Sequence, residues 1–359
     1  MPLPSLHSNV PDIVYGDRAL SLLIIGNRGG TNVGGSFERG AISLGVPVDV
    51  LESRNAMGGP GWLRSMKWHL LQHTPAQLAQ FSSAVVAHCA ERAPTVLLST
   101  GLAPLNEMAL EKIGAMGICR CNYLTDDAWN SSQRSPWFFR ALAQYDHIFT
   151  PRRANLSDLR SVSRANVSYV PFAYDPELFY RVSLDAQQKE AFVSDVMFAG
   201  GADADRVAYI RALSAAGVRV GLYGSYWERF PDTRALTRGQ ASIDILRKAI
   251  AGCSIALCLV RRANRDGHCM RTFEIPAIGA CMLVEKTQEH YELFGSDGQA
   301  VVYFENIPQM VDKARWLLER PQERRRLAAK AHRLIAEGSH TYASRLHSIL
   351  TEVGCGVSA

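Results

Sequence analysis

The chain has 359 residues, 47% of them hydrophobic and 20% charged, and its 39 Lys and Arg exceed its 34 Asp and Glu to give a formal net charge of +5. That describes a soluble globular protein, and the length fits two domains that each bury a core of their own. The longest apolar runs, such as 22–25 and 255–260, are far shorter than the ~20 residues of a spanning helix, and the first twenty residues lack the basic start and apolar stretch of a signal peptide, so a cytoplasmic protein is expected.

Apolar runs of strand length alternate with stretches of helical period, the pattern of parallel strands buried on both faces. Strands are predicted at 22–25, 46–51, 95–99, 118–124, 145–149 and 167–170, with helical stretches near 36–44, 76–91, 104–116, 135–143 and 152–162. These helices supply the crossovers a parallel sheet requires. Residues 171–194 are rich in Pro, Asp and Glu without a clear period and read as a linker. Strands then resume at 195–199, 218–223, 254–260, 281–284 and 300–304, followed by helical stretches near 306–319, 321–337 and 340–352. The expected organisation is a first α/β domain over 1–172, a linker over 173–194, a second α/β domain over 195–337 and a C-terminal helix in 338–359 that returns to the first. Two such domains, each with a glycine-marked first turn, would face each other across a cleft at the carboxyl ends of their parallel strands.

The eight cysteines form no Cys-x-x-Cys pair and read as buried, reduced thiols rather than zinc ligands. The run Arg324-Arg325-Arg326 shares a helical stretch with Glu319 and Glu323, which suits a solvated helix face better than nucleic-acid binding. Lys67, Arg152 and Arg153 leave a peripheral contact with an anionic membrane open.

Two loops carry candidate chemistry. The first, 26–36, is glycine-rich and opens a helix expected near Ser36; its Gly29 and Gly30 either serve the turn alone or let backbone N–H groups approach a substrate or diphosphate. No Gly-x-Gly-x-x-Gly fits there, although Glu52 stands where a nicotinamide site would hold its ribose-binding acid. The second, 261–280, follows an apolar strand. Thr272 is a plausible N-cap, Glu274 sits in the first turn, and Pro276 is near enough to the start to be tolerated. Arg261, Arg262, Arg265, Arg271 and His268 crowd this helix start, a density of charge that suits a diphosphate or, alternatively, a salt-bridged surface loop.

Within that segment, Arg271-Thr272-Phe273-Glu274-Ile275-Pro276-Ala277-Ile278-Gly279-Ala280 resembles the Arg-x-Phe-Glu-x-x-Ala-x-Gly stretch of the CgeB-like group of GT-B glycosyltransferases. Tyr123-Leu124-Thr125-Asp126-Asp127, residues 170–176, residues 195–200 and His340-Thr341-Tyr342 with Arg345 are similar to further pieces of that group in the same order. The resemblance implies two Rossmann-like domains and transfer of a sugar from a UDP- or GDP-linked donor to a glycan, a lipid-linked sugar or a small molecule, without a metal or other cofactor. It implies Glu274 as the ribose ligand, Arg206 beside Gly200-Gly201 and Arg271 as diphosphate contacts, and Asp266, eight positions before Glu274, near the transferring sugar. Asp266 stands where the wider clan usually has Glu; a retaining mechanism is slightly favoured. His268 would hydrogen-bond sugar or phosphate, Thr272 would join the donor site, and Tyr223-Gly224 would border the base pocket, with Tyr226 and Trp227 open to a packing role. Asp203-Ala204-Asp205 has the letters of a metal clamp but follows a strand where this fold normally needs no ion.

Should the enzyme invert configuration, Asp126 or Asp127 could serve as general base; both also fit acceptor binding or a helix cap. Trp129, Trp137, Phe138 and Phe139 read as core or as a sugar-stacking surface. Other readings are a nucleotide-sugar-binding protein of glycan or spore-coat assembly that has lost transfer, a sugar-nucleotide epimerase of the same fold, and a nicotinamide oxidoreductase, which the missing fingerprint disfavours.

Overall fold

The computed structural model describes residues 13–58 and 73–357. The chain forms two compact units, Met1–Pro171 with Tyr342–Ala359, and Phe172–Thr341.

In the first unit a short hairpin, β1 (Ile13–Tyr15) and β2 (Arg18–Ala19), precedes β3 (Leu22–Gly26), α1 (Val33–Ser43), β4 (Val48–Glu52), α2 (Leu78–Arg92), β5 (Val96–Thr100), α3 (Glu107–Ala115), β6 (Cys119–Tyr123), α4 (Pro136–Leu142), β7 (His147–Thr150), α5 (Ala154–Val162) and β8 (Asn166–Tyr169). Strands β3 to β8 make one parallel sheet in the order β4-β3-β5-β6-β7-β8. Strand β3 is buried throughout because it is paired on both edges, which is why its sequence is a continuous apolar run. Helix α1 starts at Val33, three residues before the expected Ser36. Asn32 caps it while its side-chain amide donates to the Gly29 carbonyl at 2.7 Å. Gly34 is required by closeness: a Cβ there would lie 2.9 Å from the Asn27 nitrogen and 3.0 Å from the Gly26 Cα.

The second unit contains α6 (Ala186–Phe192), β9 (Ser194–Ala199), α7 (Ala204–Ala215), β10 (Val220–Tyr223), the single turn α8 (Pro231–Arg234), α9 (Ile243–Gly252), β11 (Cys253–Cys258), α10 (Arg271–Ile278), β12 (Met282–Glu285), α11 (Gln288–Phe294), β13 (Val302–Phe304), α12 (Ile307–Leu318) and α13 (Pro321–Ala336). Its five strands are parallel, in the order β10-β9-β11-β12-β13. The chain then re-enters the first unit as α14 (Tyr342–Glu352) and β14 (Cys355–Val357). There β14 pairs antiparallel with β1 in a three-stranded sheet that the sequence reading did not anticipate.

Residues 173–194 are not a free linker. They pack in the second unit, with Asp175 and Phe179 buried, the Tyr174 N–H donating to the His340 carbonyl at 3.1 Å, and α6 opened by an Asp185/Gln188 capping box. Pro276 also differs from expectation. It is the sixth residue of α10 and so lies further from the start than expected, and the helix stops soon after it at Gly279, whose φ of +91° only glycine adopts readily.

Candidate active site

Both parallel sheets have a topological switch point, where consecutive crossovers run to opposite sides and loops at the carboxyl ends of the strands part to leave a crevice. In the second unit it lies between β9 and β11, from which the chain leads to β10 on one side and β12 on the other. The loop after β9 begins with Gly200-Gly201 and the loop after β11 carries Arg261, so the topology brings those two segments together. A Cβ on Gly201 would sit 3.8 Å from Arg261 Nη2, and one on Gly200 would sit 3.6 Å from Arg206 Nη1. Arg206 is buried, stacks its guanidinium 5.6 Å from the Phe198 ring centre and donates to the Gly201 carbonyl at 3.2 Å, while its Nε is ion-paired with Asp203 Oδ2 at 3.6 Å. Asp203, the first acid of the Asp-Ala-Asp triplet, accepts from the Arg206 N–H as N-cap of α7. Two guanidinium groups, a glycine turn and a helix start thus share one strand edge, an arrangement suited to a phosphate.

Strand β10 fixes the turn from the other side. The Gly200 N–H donates to the Tyr223 carbonyl, the Ala202 N–H to the Ser225 carbonyl, and Trp227 Nε1 to the Gly200 carbonyl at 2.8 Å. Tyr223 and Trp227 are buried, and the Tyr223 hydroxyl accepts from Arg238. Of the aromatic residues named in this segment, Tyr226 is the one left exposed. It has a φ of 73°, and the Arg229 guanidinium lies 4.2 Å from its ring centre.

The long loop after β11 is organised by carboxylates. Asp266 accepts from the Arg261 N–H at 3.3 Å, and Glu285 accepts from the Val260 N–H and from Arg262, so Arg262 is held by an ion pair. His268, expected to face the sugar or phosphate, is buried with both ring nitrogens engaged. Its Nε2 accepts from the Phe172 N–H at 3.0 Å, which places the ring proton on Nδ1, and Nδ1–H donates to the Glu289 carboxylate. Thr272 is likewise not the N-cap: Met270 holds that position, and Thr272 is fully buried. The Thr272 hydroxyl accepts from the Cys269 N–H at 3.1 Å and donates to His290 Nε2 at 2.9 Å, and His290 Nδ1 donates to the Glu285 carbonyl. Burial holds the His290 imidazole neutral, its pKa lowered to about 4. His290 gave no signal in the sequence; its place is set by α11, which brings it under α10.

Cys269 lies 3.7 Å from Cys258, and a hydrogen bond from the Cys258 thiol draws its pKa down to about 6 against the opposing effect of burial. All eight cysteines are free. Glu274 is fully buried on α10, and its Oε2 is taken up by an ion pair with Arg271 at the helix start, while its Oε1 accepts no hydrogen bond from a described residue. A buried carboxylate with unfilled acceptor positions is rare enough to demand an explanation.

In the first unit the switch point is between β3 and β5. The loop after β3 carries Gly29 and Gly30, both exposed with positive φ (77° and 53°); a Cβ on Gly29 would stand in open space and one on Gly30 would lie 3.8 Å from Asn32 Nδ2. Glu52, the acid weighed as a ribose ligand, instead clasps this loop: it accepts from the Arg28 N–H and pairs with Arg54. Asp127 is buried and accepts from the Trp129 N–H at 3.0 Å and the Asn155 amide at 2.8 Å, which makes it a turn-forming residue and removes it as an accessible base. Asp126 beside it is half-buried and accepts from the Thr125 hydroxyl. Trp137 and Phe138 belong to the core, with Trp129 and Phe139 packed against it. Arg152 is buried and donates to the Thr125 carbonyl, so it is no membrane contact; Arg153 stacks over Tyr169, and Lys67 lies outside the described residues. Among the described residues no group of His, Cys, Asp or Glu is gathered as a metal site, and no helix is long and apolar enough to cross a membrane.

Residues 206–351 match the family described as glycosyl transferase-like. No curated protein matches the chain. Among solved structures, the fold is similar to a sucrose-phosphate synthase from Thermosynechococcus elongatus (TM-score 0.67, 13% identity, covering 93% of this chain and 98% of that one). It is also similar to Anabaena Alr3699/HepE in complex with UDP and glucose (TM-score 0.61, 13% identity, 93% and 99%) and to an E. coli trehalose-6-phosphate protein bound with UDP-2-fluoro glucose (TM-score 0.62, 11% identity, 93% and 99%). The two parallel-sheet units are therefore those of the GT-B fold, and the match over residues 206–351 supports a transferase of the glycosyltransferase class.

Proposed function

We propose that the protein is a glycosyltransferase that binds a nucleoside-diphosphate sugar at the carboxyl edge of its second sheet and an acceptor on its first unit, in the manner of CgeB-like enzymes of glycan or glycoconjugate synthesis. The observation that carries this reading is the convergence of Arg206 and Arg261 on the Gly200-Gly201 turn, in the same unit as α10 with its Arg271–Glu274 pair and the open Glu274 Oε1. As the glycosidic bond breaks, negative charge accumulates on the leaving diphosphate, and preorganised guanidinium groups stabilise it without a metal ion. Glu274 accepts from both ribose hydroxyls, its pairing with Arg271 giving way to the ligand. Uridine is the favoured base, since solved structures of this fold hold UDP and UDP-glucose, and the exposed Tyr226 ring offers a stacking face in place of the buried Tyr223. In this reading Asp266 lies near the transferring sugar, as the resemblance to CgeB-like enzymes implies, and configuration is retained.

Melting the protein with uridine or guanosine diphosphate tests this. At a hundredfold excess over Kd, binding adds about 2.7 kcal/mol, and Glu274→Ala or Arg206→Ala should abolish the shift. Turnover is read as nucleoside diphosphate released from a panel of nucleotide sugars in the presence of EDTA. No shift with either nucleotide refutes the donor site. A second reading, a nucleotide-sugar-binding protein without transfer, draws on Asp127 and His268 being committed to the fold; it predicts the melting shift with no release from any donor.

A further inference from the structure

A cavity of about 550 Å³ opens at the other end of the second sheet, at the amino ends of β11 and β12. Its polar lining includes Arg181, Ser183, Ser254, Arg324 and Arg325, and among the described residues no carboxylate contributes to it. Arg324 is tethered through Nη1 to the Leu317 and Leu318 carbonyls. Arg181 and Arg325 are exposed and have no ion-pair or hydrogen-bond partner among the described residues, whereas Arg326 beside them is paired with Glu323 and bonded to the Gly298 carbonyl. The lining also includes Pro321, the first residue of the sixteen-residue helix α13, whose first turn lacks a side-chain cap. Gly279 at the cavity edge makes room for Arg181: a Cβ there would lie 2.9 Å from Arg181 Nε.

The nearby acids are committed elsewhere, Glu323 in the first turn of α13 to Arg326 and Asp195 to Arg219, so the three guanidinium groups gathered around one concavity repel one another. A bound anion relieves that repulsion. Ile250, Ile278 and Ala328 give the cavity apolar walls as well, and its volume falls in the range of small-molecule sites. We propose that this cavity is a second ligand site, separate from the donor site, that takes a small phosphomonoester. Guanidinium groups and the start of α13 hold the phosphate, Ser183 and Ser254 supply hydroxyl contacts, and the aliphatic wall packs against the organic body of the ligand.

Calorimetric titration of the full chain with glucose 6-phosphate, with glucose and inorganic phosphate as comparisons, tests the proposal. Saturable binding of glucose 6-phosphate is expected, with inorganic phosphate weaker and glucose silent. Arg181→Ala and Arg325→Ala alter exposed side chains and should each weaken binding by about tenfold or more, since each removes a charge-assisted contact. Glu274→Ala should leave it unchanged, which separates this site from the donor site. Absence of saturable binding, binding indifferent to both arginine substitutions, or binding lost with Glu274→Ala would each overturn it.

Discussion

Glu274 is carried by α10 and His290 is bonded to that helix through Thr272, and the two buried groups differ in what they are offered. Glu274 keeps open acceptor positions that a ligand can fill, whereas His290 has both nitrogens engaged and is held neutral. Unfolded, His290 titrates near its ordinary value of 6.5; folded, it does so near 4. Between those values the unfolded chain binds the extra proton, so the stabilising contribution is complete above about 6.5 and is lost as pH falls toward 4, by up to about 3 kcal/mol. Denaturant titrations across this window should show that fall, and His290→Gln should flatten it whatever its absolute effect on stability. Cys269, which the Cys258 thiol draws below the ordinary thiol range, is expected to be carboxymethylated faster at neutral pH than Cys281, which burial pushes up to about 12; peptide mass mapping reads the ratio. Asp127→Ala should destabilise the chain by about 1–3 kcal/mol by stranding the Trp129 N–H and the Asn155 amide, measured as a lowered denaturation midpoint. Residue chemistry was legible where charge is dense, as at Arg206 and Arg261. It was misread where a distant backbone decides the outcome: nothing around His268 reveals that Phe172, 96 positions away, occupies its Nε2.

At the scale of elements, the donor-side loop is rigid because two backbones touch. A Cβ on Gly224 would meet the Gly200 carbonyl oxygen at 2.2 Å, and its φ of +132° excludes ordinary side chains as well. Gly224→Ala should therefore cost about 3 kcal/mol or more and, by displacing Gly200, weaken nucleotide binding; thermal melting with and without uridine diphosphate reads both effects. The parallel strands were legible because each is an apolar run between helices, and β3 and β9 begin within a residue of where the sequence puts them. Strands β1, β2 and β14 were not, since two or three residues carry no periodicity and the partner of β1 lies at the far end of the chain. The stretch before α6 misled for another reason: its Pro, Asp and Glu serve turns and caps that pack, and composition alone does not separate packed irregular chain from free chain.

For the whole molecule, the passage of the chain from the first unit to the second and back makes the first depend on residues that follow the second. Helix α14 lies against α1, with Tyr342 edge-on to Phe37 at 5.4 Å, Gly40 directly beneath Ala343, and Arg345 donating to the Pro171 carbonyl. Tyr342, Leu346, Ile349 and Leu350 are buried there. At about 1.5–3 kcal/mol for each large apolar side chain, losing them exceeds much of the 5–15 kcal/mol that a typical domain holds in total. A chain ending at Thr341 should therefore lose protection of the β3 amides in hydrogen exchange while the second unit keeps its own. The pairing of Ile13 with Val357 adds a mechanical consequence. Because β1 and β14 run antiparallel and meet at their outermost residues, a force pulling the two ends apart loads their hydrogen bonds one after another rather than together. The clasp should therefore unzip at low tension, well before the β3 to β8 sheet bears load.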